Sequence, residues 1–514
     1  MSNLIKEPLV ITSLIIISLI GFFAIIAVTS QRGIGLSCNS AIAYIRMSRN
    51  LIDGNLSWQD AFLNYWVHFP PLFSLCLTAI HSFGGPDPLL SVRWFNASLF
   101  GLNILLVGLL IYWQTEAIWL AIMGSLWMIV KVDVLDIHSE AMSEPLLIFW
   151  TLLWLVFFLN FLKTRSVGSF LGFSIAAGLA CITRFAGIPL ILTGIVILLL
   201  DKKKSILNSF ATATVFVFVS LFPMILWMIK NFLDGGRFIN RVFAFHPTPI
   251  LQGNYSWPIN PIGTPSFSLL SFAVLFLLGW LIWKKRDLLA IENISNKRIY
   301  FLIIAILYII IYFLTWYITI TFLDAEAHEP RYLIPIEIIG MLFSLSCIKL
   351  LLSVTKSSNF LKVLFCGFLF IYLIGMNLMS MSQWFVERYN NGSGYEGIKW
   401  DKSEIIQEVK KISPDMMIYA NDVKALYVRA NCHAIPLQMT SKIDVLSLNG
   451  NSFCNFIMKR MKEDLKSKKG LIVYFSMKHL EKQKPTLNEL KNEIPLKMLF
   501  KGQDGAIYGW DDRK

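Results

Sequence analysis

Residues Ser37 to Asn50 read SCNSAIAYIRMSRN, directly after the first apolar run of the chain, Leu9 to Val28. Laid on a 3.6-residue period, Ala41, Tyr44, Ile45, Ser48, Leu51 and Ile52 fall on one side, and Arg46, Arg49, Asn50 and Asp53 on the other. A stretch divided in this way, next to a span of membrane length, is expected to be a helix lying in the interface, with Asn39 or Ser40 capping its N-terminus.

The composition around it fits a membrane setting. The 514 residues are 55% hydrophobic and 15% charged, with a mean hydropathy of +0.60, which excludes a soluble globular protein and indicates a polytopic membrane protein. The formal net charge of +13 does not call for a nucleic-acid partner, because the basic residues gather at the ends of apolar runs, as membrane topology requires. A bilayer is crossed by roughly 17–25 apolar residues, and on that measure the chain is expected to hold about eleven transmembrane helices. They lie near 9–29, 94–113, 116–132, 143–162, 168–183, 185–200, 207–229, 266–283, 299–320, 332–352 and 361–381. The first is too long and too poorly flanked for a cleaved signal peptide and reads as a retained anchor. The fifth and sixth are short and meet at Arg184, as in a bent hairpin.

Lys163/Arg165, Lys202-Lys203-Lys204 and Lys284-Lys285-Arg286 fall on one side under this count, and that side is then the cytoplasm. The long first loop (30–93), the 133–142 loop, the 230–265 loop and the tail face outward in a cell membrane. The first loop carries an aromatic run, Trp58, Tyr65, Trp66, Phe69 and Phe73, suited to the interface. From about Gln383 the composition becomes that of a soluble domain. Residues 1–383 are thus expected to form the membrane domain and 384–514 a small extracytoplasmic α/β domain. Its expected strands are Met416–Ala420, Ala434–Leu437, Gly470–Phe475, Lys497–Lys501 and Ala506–Trp510, with helices at Ser403–Ile412, Asp422–Arg429 and Phe456–Lys466. Cys432 and Cys454 share this domain, where spacing leaves their pairing open. No CxxC or Cys/His spacing marks a zinc site.

Chemistry-bearing residues concentrate at span ends. The segment after the third span holds Asp133, Asp136, His138, Glu140 and Glu144, and charges at a membrane surface are expensive unless solvated, paired or useful. Asp133, Asp136 and His138 have ligand chemistry for a divalent metal, but nothing else in the chain completes such a site, so no metal and no cofactor is expected. Ser143-Glu144-Pro145 has the form of a helix start, which gives Glu144 a structural reading beside a functional one. Arg184 follows the small-residue run Ala176-Ala177-Gly178-Leu179-Ala180, which permits close helix approach. Arg184 either meets an anion or snorkels.

These stretches together resemble the GT-C superfamily of lipid-dependent glycosyltransferases, in particular bacterial relatives of protein O-mannosyltransferases and aminoarabinose transferases. The resemblance rests on Asn39-Ser40-Ala41-Ile42-Ala43-Tyr44 running to Asp53-Gly54, on His68-Phe69-Pro70-Pro71-Leu72, and on Ser143-Glu144-Pro145-Leu146. Ala180 to Arg184, Arg331-Tyr332-Leu333-Ile334-Pro335, and Gly394-Tyr395 with Trp400 and Tyr419 extend it over nearly the whole chain. It implies transfer of a sugar from a polyprenyl-phosphate donor, held in the membrane lipid, to an acceptor on the external face. By the same resemblance Arg331, Arg184 and Tyr332 bind the donor phosphate, and Tyr44, His138 and Glu144 belong to the substrate loop. For Arg331 an ion pair with Glu326 or Glu329 is the alternative.

The family's catalytic acid aligns with Asn39, an amide that accepts no proton. Asp136 or Glu140 then serves as base, or the acceptor is already anionic, or the chain is an inactive relative acting as an assembly partner. A transporter for a lipid-linked glycan is the rival from another class. It calls for charges in mid-span and paired repeats, whereas the polar residues here lie at span ends.

Orientation is directly testable. Reporter fusions after Lys204 and Arg286 are expected to be cytoplasmic and one after Lys514 external, and a cytoplasmic signal from the last overturns the assignment.

Overall fold

The computed structural model describes residues 2–54, 69–200, 205–235, 238–239, 245, 296–323, 330–354, 374–413, 415–437, 450–476 and 485–512. The apolar runs form helices at Ser2–Val28, Pro88–Thr115, Ile118–Val130, Glu144–Thr164, Val167–Thr183, Ile188–Leu199, Ile206–Gly235, Asn296–Phe322 and Ile334–Val354. Among the described residues, six have the length and hydropathy to cross a membrane. A seventh appears if Ile118–Val130 and Val132–His138, bent by 65°, are one broken span. The expected spans near 168–183 and 185–200 are short helices joined by the 3-10 turn Phe185–Gly187. The one expected near 266–283 and most of that near 361–381 lie outside the described residues.

The chain divides into two compact units, one reaching to Tyr389 and the other taking Asn390–Lys514 together with Gly35–Ile42. In the first, Pro88–Thr115 is central, and Ser2–Val28, Ile118–Val130 and Glu144–Thr164 all pack on it. Asp87 caps it, accepting from the Leu89 amide at 2.9 Å, and Pro88 occupies the first turn. Helices surrounded by apolar tails gain little from hydrophobicity and associate by close packing. Accordingly Ser18 donates to the Gly101 carbonyl at 2.6 Å. Ser220 donates to the Ser174 carbonyl at 3.0 Å, and a Cβ at Gly178 would sit 2.7 Å from the Ser220 carbonyl oxygen.

Asn39–Ile52 is a helix, as its period predicts. Asn39 is its first residue, however, so the capping role expected of Asn39 or Ser40 falls away. The helix is also far more buried than an interfacial one, with Ala43, Tyr44, Ile45 and Met47 all inside. A second helix, Leu72–Ser82, stands in the first loop where the sequence suggested only an aromatic run. Phe73 on it is fully buried, its ring 5.1 Å from that of Tyr44, and Phe69 lies 5.5 Å away. These two rings turn inward; Trp58, Tyr65 and Trp66 lie outside the described residues. Arg49 ties the helix to the start of Pro88–Thr115 through two hydrogen bonds of 2.9 Å to Asp87. Burial raises the Asp87 carboxyl, but the Arg49 bonds and the Leu89 amide outweigh it and hold the group below its usual value.

The second unit holds a five-stranded sheet: β1 Met417–Ala420, β2 Ala434–Pro436, β3 Gly470–Phe475, β4 Leu496–Gly502 and β5 Gly505–Trp510. Their spatial order is β2-β1-β3-β5-β4, with β1 parallel to β2 and β3, and β5 antiparallel to both of its neighbours. The expected strands all form, and the expected helices appear with shifted ends, the last beginning earlier, at Gly450. Trp400, Ile405, Ala425 and Leu426 cover one face, and Met461, Leu465, Leu490 and Ile494 the other. Asn421 locks the ends of β1 and β3 by exchanging two 2.8 Å hydrogen bonds with the Phe475 backbone. Cys432 is a half-buried free thiol, and the side chain of Cys454 lies outside the described residues.

Leu36 bridges to Gly394 within this unit, the Tyr395 amide donating to the Leu36 carbonyl at 3.2 Å. Gly394 has φ +60°, and a Cβ there would overlap the Leu36 carbonyl. Gly54, with φ +69°, has open space around it. Gly54→Ala should cost about 1–2 kcal/mol for the left-handed backbone alone. Gly394→Ala should cost clearly more, and thermal unfolding of the two variants in detergent compares them.

Candidate functional site

Several chain breaks in the first unit converge. Glu144 opens Glu144–Thr164; Arg184 follows Val167–Thr183 in an extended conformation (φ −155°, ψ 147°); Arg331 lies in the 3-10 turn Pro330–Leu333 before Ile334–Val354. Each break leaves a charged side chain at the end of an apolar helix rather than in its wall. Arg184 Nη1 stands 3.2 Å from Glu144 Oε2, and Arg331 Nε 3.7 Å from Oε1. The Glu144 side chain is only 2% exposed, and those of Arg184 and Arg331 are 12% and 13% exposed. Both guanidiniums lie over the Tyr332 ring, at 5.2 and 5.3 Å from its centroid, where the ring quadrupole favours cations. The Tyr312 hydroxyl holds the Tyr332 carbonyl at 2.6 Å.

Ser143 completes the group. It precedes the helix, as the Ser-Glu-Pro pattern predicts, yet its side chain does not cap. It accepts from Arg184 Nη1 at 3.1 Å and donates to the Tyr44 hydroxyl at 2.9 Å. Burial pushes the Tyr44 phenol up to about 12 against the pull of Arg184, so near neutral pH it stays protonated and able to donate. Neither Glu144 oxygen accepts a hydrogen bond. A buried carboxylate in that condition is unusual and asks for an explanation. The structure thus brings together Tyr44, Glu144, Arg184, Arg331 and Tyr332.

The other acids of the 131–146 segment go elsewhere. The expected 133–142 loop begins as a helix, Val132–His138, which disperses them. Asp133 pairs with Lys131 at 2.8 Å, and Lys131 also reaches Glu337 at 3.4 Å. Glu140, 1% exposed, accepts from Arg388 at 2.5 Å. Asp136 lies 3.8 Å from Arg388 and accepts from the Trp384 indole at 3.2 Å. His138 is a core residue rather than part of a substrate loop. It is fully buried against Phe100, its Nδ1 donates to the Val134 carbonyl at 2.6 Å, and its Nε2 accepts from Asn103 at 3.2 Å. Among the described residues no three His, Cys, Asp or Glu side chains are placed to hold a metal ion. Asn39 belongs to the second unit, where its side-chain oxygen accepts from the Lys424 ammonium at 2.5 Å. Glu326 and Glu329, the alternative partners of Arg331, lie outside the described residues.

Two residues passed over in the sequence hold the Glu144 segment. Asn96 donates to the Glu140 carbonyl at 2.6 Å, and Asn103 to the Pro145 carbonyl at 3.1 Å. Both are fully buried. Two amides seven residues apart on one face of a membrane-length helix are a signal that a search for buried polar groups would have found. Tyr312, Trp384, Arg388 and Lys424 carry no comparable signal.

No family model and no curated protein sequence matches the chain. Solved structures do. ArnT from Cupriavidus metallidurans bound to undecaprenyl phosphate is similar with a TM-score of 0.60 at 14% identity, over 96% of this chain and 97% of that one. ArnT in the apo state gives a TM-score of 0.58 at 12% identity, over 96% of each chain. The oligosaccharyltransferase AglB from Archaeoglobus fulgidus, in complex with an inhibitory peptide and a dolichol-phosphate, gives 0.54 at 12% identity, over 97% of this chain and 74% of that one. At such identities the likeness is one of fold: the chain shares the fold of ArnT and of this oligosaccharyltransferase.

The Arg388–Glu140 pair yields a stability test. Arg388→Met leaves a carboxylate buried without its cation, which should cost about 3–5 kcal/mol. The double variant Arg388→Met/Glu140→Leu should recover most of that loss, read as the midpoint of thermal unfolding in detergent.

Proposed function

We propose that this protein is a membrane glycosyltransferase that moves a sugar from a polyprenyl-phosphate donor to an acceptor at the external face. The observation that carries the proposal is the convergence of Arg184 and Arg331 on Glu144 over the Tyr332 ring. The leaving group of such a transfer is a phosphate, which needs charge stabilisation rather than a proton. Two guanidiniums offer it a rigid array of N–H donors. The Tyr44 hydroxyl, buried beside Ser143, supplies a neutral donor to the same anion.

Other observations agree. The fold is shared with ArnT, whose crystal structure contains undecaprenyl phosphate. The cluster lies at one end of Glu144–Thr164, and Lys163 and Arg165 lie at the other, about 30 Å away at 1.5 Å per residue. By the positive-inside bias the cluster then faces outward. The charged groups sit at helix ends, which favours a transferase over a transporter, whose coupling sites lie at mid-membrane.

The test is a conservative change. Arg331→Lys keeps the charge and loses the planar fork, and should weaken binding of undecaprenyl phosphate by about tenfold or more, given the roughly 1.5–3 kcal/mol of a charged hydrogen bond. Wild-type affinity in Arg331→Ala would assign the residue to an ion pair instead.

A further inference from the structure

Glu144 presents an unresolved condition. It is buried, faces two cations, and accepts no hydrogen bond at either oxygen. Its polar surroundings come from five elements: Tyr44 on Asn39–Ile52, Ser143 ahead of its own helix, Arg184 after Val167–Thr183, Tyr312 on Asn296–Phe322, and Arg331 with Tyr332 in the 3-10 turn. Arg184 is an ion-pair partner at 3.2 Å rather than a well-formed hydrogen bond, and Arg331 at 3.7 Å is looser still. The carboxylate is therefore compensated in charge but unfilled in hydrogen bonding. A hydroxyl group would fill that deficit, and an anion would compete for the same two cations.

We infer that Glu144 is the group that takes the acceptor's hydroxyl proton, and that the donor phosphate uncovers it by drawing Arg184 and Arg331 to itself. The inference rests on the transferase reading. In the absence of donor both guanidiniums face Glu144. When the phosphate binds, it offers more acceptor oxygens to the same guanidiniums, and as they turn to it the unfilled carboxylate oxygens are left open to the acceptor hydroxyl. The acceptor O–H then hydrogen-bonds to the carboxylate, and its oxygen attacks the anomeric carbon. The bond from that carbon to the phosphate oxygen breaks, with its electron pair leaving on the polyprenyl phosphate, and the hydroxyl proton ends on Glu144. Proton and charge balance without a further reagent.

This assigns the base to a residue already in the cluster. Asp136 and Glu140 are less suited, since both engage Arg388, and Glu140 has it at 2.5 Å in a fully buried pair. Asn39 is an amide and takes up no proton.

The experiment compares wild type, Glu144→Gln and Glu144→Asp in lipid nanodiscs, using undecaprenyl phosphate as the binding probe and radiolabelled undecaprenyl-phosphate sugars for turnover. Glu144→Gln removes the competing anion, so it should bind the probe at least as tightly as wild type, by up to about tenfold, which also shows that the variant is folded. Its rate of sugar release should fall by about 10²–10⁴-fold, the range of general-base catalysis. Glu144→Asp should recover part of the rate. Glu144→Gln that binds the probe tenfold more weakly makes Glu144 a positioning group for the arginines and overturns the inference, as does wild-type turnover in that variant. Failure of the wild type itself to bind undecaprenyl phosphate overturns the transferase reading, a result separable from the other two.

Discussion

A single carboxylate buried between two guanidiniums is what the membrane unit is built to hold. Stripping water from Glu144, Arg184 and Arg331 costs several kcal/mol per ion, and their mutual attraction offsets that only if the geometry is enforced by the surrounding chain. Enforcement is visible in how the three are mounted. None projects from the middle of a helix; each sits where a helix starts or stops, so backbone groups freed by the break share the polar neighbourhood. The Tyr332 ring beneath both guanidiniums gives them a common floor. An apolar setting and a charged centre thus coexist because the helices end together.

The central helix Pro88–Thr115 transmits that requirement through the fold. Its start is fixed by the Asp87 cap and by Arg49, and its buried face carries Asn96 and Asn103 to the backbone on either side of Ser143-Glu144. A neutral amide suits this task better than a charged group, since it ties down a carbonyl without adding an ion that itself needs a partner. The same helix also receives Ser2–Val28 through the Ser18–Gly101 contact, so the first helix, the central helix and the Glu144 segment are bound in one stack. Loosening any member would move the carboxylate relative to its cations.

How much of this was readable beforehand follows the physics of each signal. Apolar length identified the helices around Pro88–Thr115, Glu144–Thr164 and Asn296–Phe322, because a bilayer-length run has few other uses. Where it reads spans at 168–183 and 185–200, the structure has two shorter apolar helices, Val167–Thr183 and Ile188–Leu199, with Arg184 at the break between them. The C-terminal sheet was legible because its strands alternate or run apolar between clear turn residues. The acidic segment was not, since composition lists Asp133, Asp136, Glu140 and Glu144 as equals, whereas their fates depend on cations far away in sequence: Arg388 for Glu140, and Arg184 and Arg331 for Glu144. Helix periodicity on Val132–His138 was too brief to reveal that these acids point to different neighbours. Tyr44, Glu144, Arg184, Arg331 and Tyr332 were each singled out, but nothing in the chain order showed that they meet.

The charge pattern finally separates a structural ion pair from a site. Asp87 is closed by Arg49 and by an amide, Asp133 by Lys131, and Glu140 by Arg388 at hydrogen-bonding distance. Each of these has a partner at short range, as stability requires of an ion withdrawn from water. Glu144 differs in kind. Two cations share it, neither forms a hydrogen bond with it, and a protonated phenol stands nearby on Ser143. An arrangement selected only for stability would have tightened one arginine onto the carboxylate, in the manner of Glu140 and Arg388. Here the two guanidiniums stand at 3.2 and 3.7 Å from the carboxylate, against 2.5 Å for Arg388 and Glu140, so the charge is balanced while the carboxylate's hydrogen-bonding positions stay unfilled.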